Sequence, residues 1–162
     1  MSFLNWLQNT PFAIWVAETL WAYPLLETMH TFGMALLLGT LGLINLRVLG
    51  YKKVLPLVGT HDLIPIAWIG FTLNAVSGLA LFTSDAVNFF SSNTFRLKIT
   101  LIILAGINAA ILSRKIYAAE GTANPEPEIT SGAKIIAATS LVFWVAAIIC
   151  GRIYAYYPFT VS

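Results

Sequence analysis

The chain has 162 residues, of which 58% are hydrophobic and 10% are charged, whereas soluble domains average about 25% charged residues. Nine Lys and Arg against seven Asp and Glu give a net charge of +2, and the mean hydropathy is +0.80. This composition excludes a disordered chain, a nucleic-acid-binding protein and an ordinary water-soluble domain. It predicts an integral membrane protein, with the lipid bilayer as its partner.

The first twenty residues predict a segment that lies in the membrane interface. Residues 2–8 and 10–20 are rich in Trp and Phe but are interrupted by polar residues, Pro11 and Glu18. Such a pattern favours one or two short helices with their Trp side chains at headgroup depth. A cleaved signal peptide is not expected, because a basic n-region and a small-residue cleavage site are missing from this stretch.

Four runs without charged residues predict four membrane-spanning helices. The runs contain 19, 22, 15 and 17 residues, over 28–46, 63–84, 99–113 and 135–151. About 20 apolar residues cross a hydrocarbon core of ~30 Å, so the third run needs residues 95–98 as well, with their charges snorkelling outward. The predicted spans are 24–49, 63–88, 95–117 and 133–156. We therefore predict an all-α fold, an integral membrane four-helix bundle over 21–157 that follows an interfacial segment over 1–20.

The distribution of basic residues predicts the orientation. Three of them lie at the end of the bundle where the first span begins, namely Arg96, Lys98 and Arg152. Six lie at the other end, namely Arg47, Lys52, Lys53, Arg114, Lys115 and Lys134. Because cytoplasmic loops carry the excess of Lys and Arg, we expect a multi-pass protein of the bacterial inner (cell) membrane with both termini in the periplasm.

Small residues at a spacing of four predict the faces on which the helices pack, since close approach replaces the hydrophobic effect inside lipid. The stripes are Thr31, Ala35 and Gly39; Gly70, Asn74 and Gly78; Gly106 and Ala110; and Ala147 and Gly151. Two asparagines, Asn74 and Asn108, lie deep in their spans. We interpret them as hydrogen-bonding across the bundle, with the lining of a solute path as the alternative.

Polar residues collect at the predicted outer end of the bundle. They are Glu27, His30, Asp85, Asn88, Arg96, Lys98, Cys150, Arg152 and Tyr154. Ionisable groups inside a membrane are costly, so each is a candidate functional residue.

His30 is the leading candidate ligand of this group. Its imidazole could bind a haem iron or a copper ion, with Glu27 one turn away orienting the ring. Gly33 and Met34 on the next turn would leave room for a flat macrocycle. The basic residues that could pair with haem propionates or with a quinone carbonyl are Arg96, Lys98 and Arg152.

A second axial ligand for such a haem is not evident. His61 precedes the second span at the other end of the bundle, and residues 30 to 49 of a helix climb about 29 Å. A haem would need His30 from two chains, a methionine such as Met29 or Met34, or a five-coordinate iron. The alternative is a structural link in which His30 and Glu27 join Lys98 or Arg152.

Several stretches carry a resemblance to a known family. They are the segment from MHTFG at 29–33 to NLRVLG at 45–50, SGLALF at 77–82, NTFRLK at 93–98, GIN at 106–108 and GRIYAY at 151–156. Together they resemble a family of small bacterial four-helix membrane proteins of unknown function, over about residues 20–157. A His near the outer start of a helix, followed by Gly, is also loosely similar to membrane b-type cytochromes and to copper-resistance membrane proteins.

The sequence leaves three functions open. The first is a small membrane subunit that binds haem b or another redox group at His30 and passes electrons, as a homo-oligomer or within a larger membrane complex. The second is a structural or assembly subunit whose polar residues only hold the bundle together. The third is a transporter of protons or of a small solute.

Overall fold

A computed structural model of the chain describes residues 2–51, 62–120 and 129–156. They form α1 (Ser2–Gln8), α2 (Pro11–Glu18), α3 (Ala22–Val48), α4 (Leu63–Ser84), α5 (Ala86–Ser91), α6 (Asn93–Glu120) and α7 (Ser131–Tyr156). His61 and the Lys52–Lys53 pair lie outside the described residues.

Four of these helices are long and apolar enough to cross a membrane, namely α3, α4, α7 and the part of α6 over Asn93–Lys115. The prediction of an all-α fold with four long apolar helices is therefore confirmed. The second predicted span was too long, because α4 ends at Ser84. Asp85 leaves helical backbone angles and its carboxylate accepts a hydrogen bond from Asn88 Nδ2 (3.1 Å), which starts the short helix α5.

The N-terminal segment forms two short helices, and the second of them packs on the long helices. Thr10 caps α2, because its Oγ1 accepts a hydrogen bond from the Ala13 amide (3.3 Å). Ala13 and Val16 on α2 are fully buried, whereas Trp15 is 52% exposed. Since α2 contacts α3 and α4, the N-terminal segment forms part of the packed fold. It lies at the end of the bundle that contains His30, which we call the His30 end.

The long helices associate as two closely packed pairs. α3 packs along α4, α6 packs along α7, and the two pairs meet mainly through α3 and α7. α4 and α6 make few contacts with each other. Two buried apolar clusters join the pairs, one around Ile44 and Leu112 and the other around Leu37 and Trp144.

Glycines bring α3 and α4 together at the level of their backbones. A Cβ atom on Gly33 would lie 2.6 Å from the Asn74 amide nitrogen, and one on Gly70 would lie 2.6 Å from the Leu37 amide nitrogen. Real Cβ atoms do not approach backbone so closely, so only glycine fits at either position. The predicted packing stripe of α4, which contains Gly70, Asn74 and Gly78, is confirmed by these contacts and by that of Gly78 with His30.

The stripe predicted on α3 is wrong. Thr31 and Ala35 are exposed, and a Cβ atom on Gly39 would meet no atom within 4 Å. Gly33 and Leu37 form the packed face instead. The helix is apolar on every side, so hydrophobicity alone does not distinguish the face that packs from the face that meets lipid.

Hydrogen bonds between side chains also join the helices. Nδ2 of Asn108 donates to Thr139 Oγ1 (3.0 Å) between α6 and α7, which confirms that Asn108 bonds across the bundle. Nδ2 of Asn45 donates to Ser140 Oγ (3.3 Å) between α3 and α7. This second contact was not predicted.

We expect the pair of Asn108 and Thr139 to contribute about 0.6 kcal/mol of coupling energy, and no more than ~1.7 kcal/mol, as interhelical hydrogen bonds in membranes do. The measurement is a double-mutant cycle with Asn108→Ala and Thr139→Ala, read from unfolding in detergent micelles. Thr72→Ala is the control, because the Thr72 hydroxyl bonds only to Trp68 O in its own helix. Its effect should add to that of Asn108→Ala without coupling.

Candidate functional site

His30 lies on the face of α3 that meets α4. Its Nδ1 is 2.9 Å from the backbone oxygen of Asn74 and 3.3 Å from Ser77 Oγ. A carbonyl oxygen only accepts hydrogen bonds, so Nδ1 carries the proton and donates it to Asn74. The hydroxyl of Ser77, which is fully buried, lies close to the Leu73 carbonyl (2.6 Å) and donates to it.

Asn74 also holds His30 through its side chain. Nδ2 of Asn74 donates to the backbone oxygen of His30 (2.9 Å) and lies 3.5 Å from His30 Nε2. Gly78 leaves room for the ring, since a Cβ atom there would lie 2.9 Å from His30 Cε1. Both ring nitrogens therefore face α4, and the interpretation of Asn74 as a residue that bonds across the bundle is confirmed.

These contacts change two roles that were expected around His30. Glu27 is exposed and the ring nitrogens bond to Asn74 and Ser77, so Glu27 does not orient the imidazole. The space beside Gly33 is occupied by the backbone of Gly70 and Asn74. A macrocycle consequently has no room against Gly33. Met34 is half-buried on the same helix.

Lys98 on α6 extends toward α7 and packs on Gly151. A Cβ atom at Gly151 would lie 3.4 Å from Lys98 Nζ, so the missing side chain makes the space in which the ammonium group lies. Lys98 is half-buried, and within the described part of the chain its ammonium group makes no hydrogen bond or ion pair. Cys150, the residue before Gly151 on α7, is buried.

The other two basic residues predicted for the site lie on its outside. Arg96 is exposed, donates from Nε to the Phe90 carbonyl (2.8 Å) and stacks over the Phe90 ring at 5.1 Å. Arg152 is exposed as well. His30, Asn74 and Ser77 therefore contact one another directly, and Lys98 lies at the same end of the bundle beside Gly151, the neighbour of Cys150. We call these five residues, His30, Asn74, Ser77, Lys98 and Cys150, the polar cluster.

A group of aromatic rings at the same end was missed by the sequence analysis. Phe82, Phe89, Phe95 and Tyr154 lie with their ring centroids 4.9–6.1 Å apart. Phe89 belongs to α5, of which only residues 86–88 were predicted as part of the second span. The signal in the sequence is Asp85, because a helix break there turns the Phe89 ring toward α6 and α7.

The polar cluster contains an ammonium group, a thiol and an imidazole. Over residues 2–51, 62–120 and 129–156, the structure brings no three His, Cys, Asp or Glu side chains together as a metal site. An ammonium group forms its strong hydrogen bonds with anionic or carbonyl oxygens. No family model, curated protein or solved structure matches the chain.

Proposed function

We propose that this protein binds the oxygen-bearing head group of a membrane-soluble molecule at Lys98. The proposal rests on the environment of Lys98. This residue belongs to a long apolar helix, and its ammonium group lies beside Gly151 without an ion pair to any described residue. Removing a charge from water costs several kcal/mol unless a partner compensates, and ionisable residues inside membranes mark functional sites. A carboxylate, a phosphate or a quinone carbonyl would supply that partner.

The depth of Lys98 favours a ligand that comes from the bilayer. Lys98 lies five residues after the start of α6 at Asn93, which is about 7.5 Å along the helix axis. The helices around it are apolar, and its ammonium group packs against Gly151 on α7. A lipophilic molecule can place its head group at this depth while its remainder stays in an apolar environment.

A quinone is the redox member of this ligand class, so the proposal includes electron transfer with a partner protein in a larger membrane complex. Haem ligation by His30 is a different proposal, and it requires the imidazole to leave Asn74 and turn away from α4. The contacts of His30 therefore favour Lys98 over His30 as the group that holds a ligand. In the orientation proposed from the basic residues, this site faces the periplasmic side.

Lys98→Met tests the proposal because it removes the ammonium group and keeps a flexible chain of similar length. The protein is purified into lipid nanodiscs and titrated with decyl-ubiquinone, which has carbonyl oxygens, and separately with palmitate, which has a carboxylate. We expect saturable binding of one of the two, weakened about tenfold or more by Lys98→Met, since hydrogen bonds to charged groups contribute ~1.5–3 kcal/mol.

Arg152→Met is the matched control, because Arg152 is a basic residue at the same end of the bundle and is exposed. Its affinity for either probe should stay within about twofold of that of the unmodified protein. Equal affinity of the Lys98→Met variant and the unmodified protein would overturn the proposal. Failure of the unmodified protein to bind either probe would overturn it as well.

A further inference from the structure

An apolar cavity of about 380 Å³ lies between the two helix pairs, at the level where α4 and α6 make few contacts. All four long helices contribute to its wall. Residues of the wall that matter here are Leu37, Trp68, Phe71, Ile103, Gly106 and Trp144. The bundle therefore has an opening between α4 and α6 that its own side chains do not fill.

The size of the cavity, about 380 Å³, suits a small molecule. Small-molecule sites have volumes of about 300–1,000 Å³ and predominantly apolar walls, and the cavity fits that description.

The cavity and Lys98 lie at neighbouring levels along α6 and α7. Ile103 in its wall is five residues from Lys98 along α6, which is about 7.5 Å. Trp144 in its wall is seven residues from Gly151 along α7, which is about 10.5 Å. A molecule whose head group reaches Lys98 from within the bundle would therefore have its remainder at the level of the cavity.

We infer that this cavity binds the hydrocarbon chain of the molecule whose head group Lys98 binds. The inference rests on the proposed function and narrows its ligand class to amphiphiles with one carboxylate head and one acyl chain. Charge complementarity selects the head, because the ammonium group of Lys98 has no anionic partner among the described residues. The apolar wall and the limited volume select a single chain.

Trp144 is a reporter of chain binding, since it lines the cavity and only 8% of its surface is exposed. The other four tryptophans are replaced by Trp6→Phe, Trp15→Phe, Trp21→Phe and Trp68→Phe. Because Trp68 also lines the cavity, the affinity of this protein for palmitate is first compared with that of the unmodified protein. This protein, in nanodiscs of unbrominated lipid, is titrated with 9,10-dibromostearate, whose bromine atoms quench tryptophan on contact. We expect saturable quenching of Trp144 with the same midpoint as carboxylate binding at Lys98.

Gly106→Leu fills the cavity, because Gly106 lines it and a Cβ atom there meets nothing within 4 Å. We expect this variant to lose most of the Trp144 quenching and to bind dibromostearate about tenfold more weakly, a change of ~1.4 kcal/mol. Gly42→Leu is the matched control, since a Cβ atom at Gly42 also meets nothing within 4 Å. Gly42→Leu should behave as the unmodified protein, and Gly106→Ala should give an intermediate effect if the leucine variant does not fold.

The outcomes separate this inference from the proposed function. If Lys98→Met weakens binding but Trp144 is not quenched and Gly106→Leu has no effect, the head-group site stands and the inference is overturned. If quenching is saturable and sensitive to Gly106→Leu but indifferent to Lys98→Met, the proposed function fails and so does the link between chain and head. A change of oligomeric state in Gly106→Leu, seen by sedimentation, would make the cavity an interface between copies and overturn the inference.

Discussion

Gly70→Ala should lower the free energy of unfolding by about 3 kcal/mol, the upper part of the usual range for overpacking. The added methyl group would lie 2.6 Å from the Leu37 amide nitrogen and 2.9 Å from the Gly33 carbonyl oxygen. These are backbone atoms, so the clash cannot be relieved by a change of rotamer and the two helices must separate. Unfolding in detergent micelles, followed by circular dichroism, measures the effect.

Gly39→Ala is the control, because a methyl group at Gly39 meets no atom within 4 Å. There the substitution should stabilise the helix by about 0.5–1 kcal/mol, since alanine loses less conformational freedom than glycine on folding. Gly33→Ala should resemble Gly70→Ala, because its methyl group would lie 2.6 Å from the Asn74 amide nitrogen. If Gly70→Ala instead stabilises the protein as Gly39→Ala does, α3 and α4 do not pack with their backbones in contact at Gly70.

The contact between Gly33 and Gly70 also determines which atoms His30 can reach. Interhelical hydrogen bonds of 2.9 Å from His30 to Asn74, and from Asn74 to His30, lie next to this crossing. A wider separation would lengthen both bonds together. The position of His30 is therefore a consequence of glycine packing, and changes at Gly33 act on the polar cluster without touching it.

The four long apolar helices could be predicted because charge is scarce within them and because crossing a hydrocarbon core takes about 20 apolar residues. α3 and α7 begin two residues before the predicted positions, and α4 begins where it was expected. The end of α4 could not be predicted in the same way. Asp85 breaks the helix through its own backbone angles and its bond to Asn88, which the absence of charge over 63–84 does not reveal.

The polar cluster could be predicted only in part. The distance of His30, Lys98 and Cys150 from their helix ends predicted that they lie at one level of the bundle. Antiparallel helices of similar length have their ends at the same level. Which side chains face inward depends on the rotation of each helix about its axis. The rotation of α6 leaves Lys98 half-buried and Arg96 exposed, and that of α7 leaves Arg152 exposed. The cavity was not predictable at all, since it arises from the separation of α4 and α6 rather than from any pattern within one helix.

His30→Ala should lower the free energy of unfolding by about 3 kcal/mol, because it combines the loss of an interhelical hydrogen bond with a cavity beside Gly78. His30→Gln should recover part of this loss, since its amide can donate to the Asn74 carbonyl as Nδ1 of His30 does. Thr31→Val is the control on the next residue. The Thr31 hydroxyl bonds only to Glu27 O within α3, so its removal should cost less than about 0.5 kcal/mol.

The same variants decide between a structural His30 and a haem-binding one. A residue that only joins α3 to α4 changes stability and leaves the visible absorption spectrum of the purified protein as it was. A haem ligand produces a Soret band that disappears in His30→Ala, and glutamine would not restore it because an amide is a poor ligand for haem iron. Since both ring nitrogens of His30 face Asn74 and Ser77, we expect stability to follow the order wild type, His30→Gln, His30→Ala, with the same spectrum in all three. A Soret band that depends on His30 would show that the imidazole turns away from α4 to bind iron, and would favour His30 over Lys98 as the residue that holds a ligand.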